Sequence, residues 1–185
     1  MSNLEKRRTL DPEKTRQGIL EAAFSSFSER GFAATSIGDI AKVAGVPKSL
    51  VGYHFGSKEE LWQACLVSRA GPVIEQLDQF LGGNATDLGS VIEARFNLMR
   101  DNPELRRILS WASIEILPIP KFIEERRERL LARVKSKNAY PRVLLALAAM
   151  DGWFMFGGLY RRGLSETGDM DGQVLEQLKK MVSEQ

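Results

Sequence analysis

Apolar residues recur along this chain at intervals of three and four almost from end to end. No stretch alternates apolar and polar side chains long enough to argue for a sheet. The spacing therefore predicts an all-α protein. Asp11-Pro12 reads as a helix start, with Asp at the N-cap and Pro at N1, where its missing N–H is not needed. The helix so begun reaches about Arg30, carrying Ile19, Ala23 and Phe27 at spacings of four with Leu20 and Phe24 widening the stripe, and Gly31 follows. Thr35-Ser36 caps the next helix, and Ser36-x-x-Asp39 has the shape of a capping box. That helix is short, with Ile37, Ile40, Ala41 and Ala44 inward, and ends at Gly45. Val46-Pro47 starts another that places Val51 inward, reaches Phe55 and stops at Gly56. Ser57-Lys58-Glu59-Glu60 is a second capping box, opening a helix through Leu61, Trp62, Cys65 and Leu66.

Gly71-Pro72 is the expected break after that helix. Beyond it the pattern predicts helices over Pro72–Leu81, Thr86–Arg100, from Asn102-Pro103 through Ile114, over Lys121–Lys137, from Pro141 toward Tyr160, and from Asp171 or Gly172 to the end. The loops are short, as a helix bundle requires. Two domains are expected: residues 1–56, including a polar arm over 1–10, and residues 57–185.

Composition narrows the chemistry. The chain has 185 residues, 43% of them hydrophobic, enough to build a core without staples. Lys+Arg number 26 against 24 Asp+Glu, a net charge of +2, too balanced for a polybasic protein. A single cysteine, Cys65, excludes an internal disulfide and any two-thiolate zinc site, and reads as an inert core thiol. His54 is the single histidine, so paired-histidine metal sites are excluded and no ready catalytic triad exists; no metal, no cofactor and no enzymatic activity are expected. The densest apolar run, Val143–Met150, is closed by Asp151-Gly152, so no membrane span is expected. The first residues lack an apolar signal core, and a cytoplasmic location is expected. The charged stretch after Pro120 mixes signs at close spacing, as a solvated face with i,i+4 pairs does.

The informative stretch is Thr35–Leu61, TSIGDIAKVAGVPKSLVGYHFGSKEEL. Ala41 is small where two helices cross, Gly45 permits a tight turn, and Ile40, Val46 and Val51 fill the wedge between them: a helix-turn-helix. In such a unit the second helix offers its first residues to base edges. Here it presents Lys48, Ser49 and Leu50, chemically fit for a guanine edge or phosphate, either surface, and a thymine methyl respectively. Tyr53 and His54 lie at its far end. A bland reading stands beside each: Lys48 and Lys58 as solvated charges, and His54 as an imidazole favoured by a helix C-terminus. The Lys6-Arg7-Arg8 cluster is equally a minor-groove arm or a solvated tail.

Residues from about Thr15 to Leu66 resemble the N-terminal domain of TetR-family transcriptional regulators. ILEAAFSSFSERGF, the TS pair, DIAKVAGVPKS, YHF and SKEEL occur in the right order. The resemblance implies a helical homodimer, DNA binding by the first three helices, and a divergent C-terminal ligand domain. It places Thr35, Ser36, Lys48, Ser49, Tyr53, His54 and Lys58 on positions that usually contact DNA. Departures from the family pattern are Gly52, where many relatives have the first of two aromatics, Pro47 in place of a small polar residue, and Gly38 in a helix first turn. Gly52 removes one expected contact and costs about 1 kcal/mol of helix stability.

The C-terminal two-thirds is rich in large side chains. Phe96, Met99, Trp111, Trp153 and Phe156, with Glu115 one turn from Trp111, are candidates to line a pocket for an apolar or aromatic effector with one polar handle. Wide apolar faces on the last two helices predict a symmetric four-helix dimer interface, helped by Gly157-Gly158. The expected function is a ligand-responsive repressor bound to a near-palindromic double-stranded operator. The alternative is a DNA-binding adaptor or nucleoid-associated protein whose C-terminal domain binds a protein partner.

Overall fold

The computed structural model describes residues 11–83, 87–136, 140–162 and 168–183. The Lys6-Arg7-Arg8 cluster and Thr86 lie outside the described residues. Among the described residues the chain is all-α, with helices α1 (Pro12–Arg30), α2 (Ile37–Ala44), α3 (Lys48–Phe55), α4 (Lys58–Gly83), α5 (Leu88–Asp101), α6 (Pro103–Ile114), α7 (Lys121–Ser136), α8 (Tyr140–Arg161) and α9 (Met170–Ser183). They form two compact units: residues up to Ser68 together with Arg107–Pro118, and Arg69–Arg106 together with Ile119–Gln185. Thus α4 and α6 each contribute residues to both.

The expected division at residue 56 differs from these units, because α4 is continuous and the second half of α6 returns to the N-terminal helices. The expected helix break at Gly71-Pro72 is absent: α4 runs through Pro72. Proline inside a helix removes one backbone hydrogen bond and crowds the preceding turn. Pro72 is exposed.

In the first unit α1, α2 and α3 pack on one another and bury Ile19, Ala23, Phe27, Ile40, Ala41, Val51 and Phe55. Leu61, Trp62, Cys65 and Leu66 of α4 are also buried. Phe27, Phe32 and Trp62 form an aromatic cluster, Trp62 meeting both phenyl rings edge-on at centroid distances of 5.2 and 5.6 Å. The Cys65 thiol donates to Leu20 O at 3.7 Å and is buried, an inert packing position.

In the second unit α5, α8 and α9 surround Ile92, Phe96, Val143, Ala146, Met150, Leu178 and Val182. The indole of Trp153 on α8 donates to Asp171 Oδ1 on α9 at 2.9 Å. Lys179 bridges α9 to α5 through Glu93 at 3.0 Å and also meets Glu176 at 3.2 Å; these hydrogen bonds raise its pKa. α8 passes through Asp151-Gly152 without interruption, so Pro141–Leu159 is long and apolar enough, by length and composition, to cross a membrane. Val143, Ala146 and Met150 within it are instead core residues of this unit.

The C-terminal end of α6 holds Ile116 in the left-handed region, φ 53°. Leu117 N–H bonds back to Ala112 O at 2.9 Å, the outer hydrogen bond of a Schellman-type helix end. Glycine is favoured at that place, and a β-branched residue there is strained. Ile116 is 90% exposed, so its side chain returns almost no burial. Ile116→Gly is expected to raise stability by about 1 kcal/mol, read from the denaturation midpoint. An unchanged or lower midpoint would show that this backbone is not strained.

Candidate nucleic-acid interface

Helices of eight residues do not persist alone in water, so α2 and α3 depend on their caps and their packing. Ser36 caps α2 by accepting from Asp39 N–H at 3.1 Å, while Asp39 accepts from Ser36 N–H at 3.1 Å and from its hydroxyl at 2.6 Å. The same reciprocal pair opens α4: Glu60 N–H to Ser57 Oγ at 3.1 Å and Ser57 N–H to Glu60 at 2.7 Å. The Ser36 hydroxyl and amide hydrogen bonds hold the Asp39 carboxyl below its ordinary pKa, and the Ser57 amide and hydroxyl do the same for Glu60. Both carboxylates therefore support folding fully above the ordinary carboxylate range. That support fades as pH falls through their lowered folded values.

Between α2 and α3 the chain turns at Gly45, φ 67° and ψ 29°, which lets Val46 N–H reach Ala41 O at 3.0 Å. A side chain at that φ would be strained. The turn sets α3 against α2 with Val51 and Phe55 buried. Lys48, Ser49, Gly52 and Tyr53 are left exposed, and Leu50 and His54 half-buried. Tyr53 is 81% exposed, with the His54 ring edge-on to it at 5.2 Å.

The expected contact residues thus divide. Lys48, Ser49 and Tyr53 share an exposed surface of α3. Ser36 is exposed at the start of α2, though its hydroxyl is already bonded to Asp39. Lys58, half-buried, holds its ammonium 4.1 Å from the centre of the Phe32 ring, a cation–π contact that fixes the charge at the start of α4. Thr35 is different. It is 1% exposed, and its hydroxyl donates to Ser26 O at 3.2 Å and Gly31 O at 2.7 Å. That side chain closes the α1–α2 turn and does not face outward.

Three interactions here had no signal in the sequence. The Arg16 guanidinium of α1 lies 5.1 Å from the Phe55 ring centre, tying α1 to the end of α3. Glu115, 82 residues away in the chain, accepts from Ala33 N–H at 2.9 Å. A Cβ on Gly31 would stand 2.5 Å from Glu115 Oε1 and 2.9 Å from the Trp111 ring, so this turn needs glycine for close approach as well as for φ 80°. Gln63 of α4 donates to Pro118 O just beyond the same helix end.

The candidate pocket residues are accordingly spread over both units. Trp111 and Glu115 belong to the first, against the α1–α2 turn. Of the four in the second, Phe96 and Met99 are buried, Trp153 is half-buried on Asp171, and Phe156 is 49% exposed. The second unit adds Phe154, stacked obliquely on Phe96 at 4.8 Å and covered by the Arg106 guanidinium at 4.8 Å.

Residues 19–65 match the sequence profile of the bacterial regulatory proteins of the tetR family. The chain is 26% identical to the transposon Tn10 TetC protein of Escherichia coli over 177 residues, 88% of each. It is 28% identical over 172 residues to the HTH-type transcriptional repressor SCO4008 of Streptomyces coelicolor, 86% of this chain and 88% of that one. The crystal structure of a TetR family transcription regulator from Marinobacter aquaeolei VT8 shares the fold, with a TM-score of 0.70 at 20% identity over 94% of this chain and 97% of that one. The matched profile covers the capped helix pair and its outward face, so residues 19–65 carry the DNA-binding domain of tetR-family regulators, and the chain as a whole is similar to TetR-family transcriptional regulators.

Proposed function

We propose that this regulator is a homodimeric repressor, cytoplasmic, that leaves a near-palindromic operator when a small apolar or aromatic molecule binds its second unit. The observation that carries the DNA reading is the exposed α3 face of Lys48, Ser49 and Tyr53, mounted on α2 through the Gly45 turn. In this reading Lys48, exposed in the first turn of α3, reaches a base edge. Tyr53, His54 and Lys58 follow as phosphate donors. Repression is supported by the likeness to SCO4008, a protein named as a transcriptional repressor.

Dimerisation is supported by α8. Leu145, Ala149, Gly152, Phe156 and Leu159 recur at intervals of four and three, and all but the half-buried Gly152 are exposed. That period suits a helix-on-helix seam. An open groove of about 840 Å³ lies beside it, lined by Ala149 of α8 and by Met170, Val174, Leu175, Leu178 and Met181 of α9. Of the Gly157-Gly158 pair expected to serve helix crossing there, Gly157 is buried beneath the Trp153 ring and Gly158 is exposed, while Gly152 falls on the four-and-three period. Because Leu178 and Val182 of α9 are core residues, deleting α9 would unfold the second unit and would not report on dimerisation.

In this reading the effector's polar handle is not Glu115, whose carboxylate holds Ala33. An effector among the aromatic side chains around Phe96 and Phe154 would act through α4 and α6, the two helices common to both units. To move occupancy from 99% to 1% it must favour the released form by about 5.5 kcal/mol.

Lys48→Ala is expected to weaken binding to the selected operator by about 1–3 kcal/mol while leaving random DNA almost unaffected. Equal weakening on both would assign Lys48 to phosphate. Leu145→Glu combined with Leu159→Glu is expected to give a folded monomer by sedimentation, with operator affinity lowered by about 10²-fold or more. A dimer in that variant would remove α8 from the interface. A thermal-shift screen with apolar and aromatic metabolites is expected to find compounds that stabilise the protein and release DNA. Capture of a protein partner without any stabilising compound would favour the adaptor reading.

A further inference from the structure

Gly52 has no structural reason to be glycine in the free protein. It sits in the second turn of α3, is exposed, and is absent from the glycines with positive φ. A Cβ built on it meets nothing within 4 Å, so neither turn geometry nor packing excludes a side chain. Glycine there only weakens an eight-residue helix. The missing side chain matters when another surface covers this face, and the flanking exposed residues are Lys48, Ser49 and Tyr53. Together they outline a notch with a polar rim and a floor of bare helix backbone.

The chemistry of that floor limits what fits. The Gly52 carbonyl already accepts from Gly56 N–H at 2.8 Å, and its own N–H lies inside the helix. What remains is C–H surface, which neither donates nor accepts a conventional hydrogen bond. In the major groove the apolar group that projects from a base edge is the thymine C5-methyl. We infer that Gly52 is a specificity-determining residue: its notch receives a thymine methyl in each operator half-site, so α3 lies closer to the groove floor than any side chain at 52 would allow. A Cβ would stand the helix off by about 1.5 Å, the length of a carbon–carbon bond. Leu50, half-buried, is less well placed for that methyl than the open notch.

This inference rests on operator binding by α3, and its test separates the two. The full-length protein is first used to select its operator from a random duplex pool. Each thymine of a half-site is then replaced singly by deoxyuridine, which lacks only the methyl. One position is expected to lose about fourfold in affinity, the worth of one buried methyl group. Gly52→Ala is expected to bind the selected operator about tenfold more weakly, to be indifferent to deoxyuridine at that position, and to keep its affinity for random DNA. Its thermal midpoint is expected to rise by about 2–4 °C, showing that the loss is not misfolding. If the unaltered protein selects a sequence and Gly52→Ala binds it equally well, the inference fails while operator binding stands. A Gly52→Ala loss with no deoxyuridine-sensitive position would overturn the thymine assignment. If the unaltered protein selects no sequence, operator binding itself fails, and the inference with it.

Discussion

Everything at the DNA-facing end depends on one constraint: α2 and α3 are too short to be helices by themselves. Eight residues supply about two turns, and the nucleation cost exceeds what so few hydrogen bonds return. Their geometry is therefore borrowed from longer neighbours. Ile40, Val51 and Phe55 are buried with α1. Ser36 and Ser57 fasten the starts of α2 and α4, and Arg16 lies over Phe55 from the other side. Once the inner faces are committed, the outer face of α3 has no freedom to turn inward, and Lys48, Ser49 and Tyr53 remain presented as a set.

The same unit reaches beyond the first four helices. Trp111 and Glu115 of α6 close on the α1–α2 turn, where only a glycine at 31 leaves room and the Ala33 amide finds a carboxylate. A charge-assisted hydrogen bond of this kind is stronger than a neutral one. It ties the position of the turn ahead of α2 to the end of α6, itself closed by a left-handed Ile116. The exposed ion pairs, Lys121–Glu125 at 3.8 Å among them, each contribute about 0–1 kcal/mol and decide little.

In the second unit the decisive feature is the two-sidedness of α8. One stripe, Val143, Ala146 and Met150, closes the core with α5 and α9, while Leu145, Phe156 and Leu159 point out of it. A helix apolar nearly all round has either a core or a partner on each side. Here one side is occupied and the other is open. That asymmetry separates side chains that maintain the fold from those that a second copy would cover.

Helix order, the two capping boxes, the Gly45 turn and the exposed face of α3 were legible in the amino-acid sequence. Each is a local matter: a serine three residues from an acid, a glycine after an apolar stripe, a polar side chain opposite a buried one. Three things were not legible, because they depend on residues far apart or on competition between faces. Thr35 could have faced DNA by its place beside a cap, but carbonyls of α1 and Gly31 capture its hydroxyl. Glu115 read as a pocket handle until the fold brought it to Ala33, 82 residues away. Pro72 carried the local chemistry of a break, yet the helix continues through it with the proline ring on the exposed side. Periodicity sets which residues share a helix face, but only packing decides what that face meets.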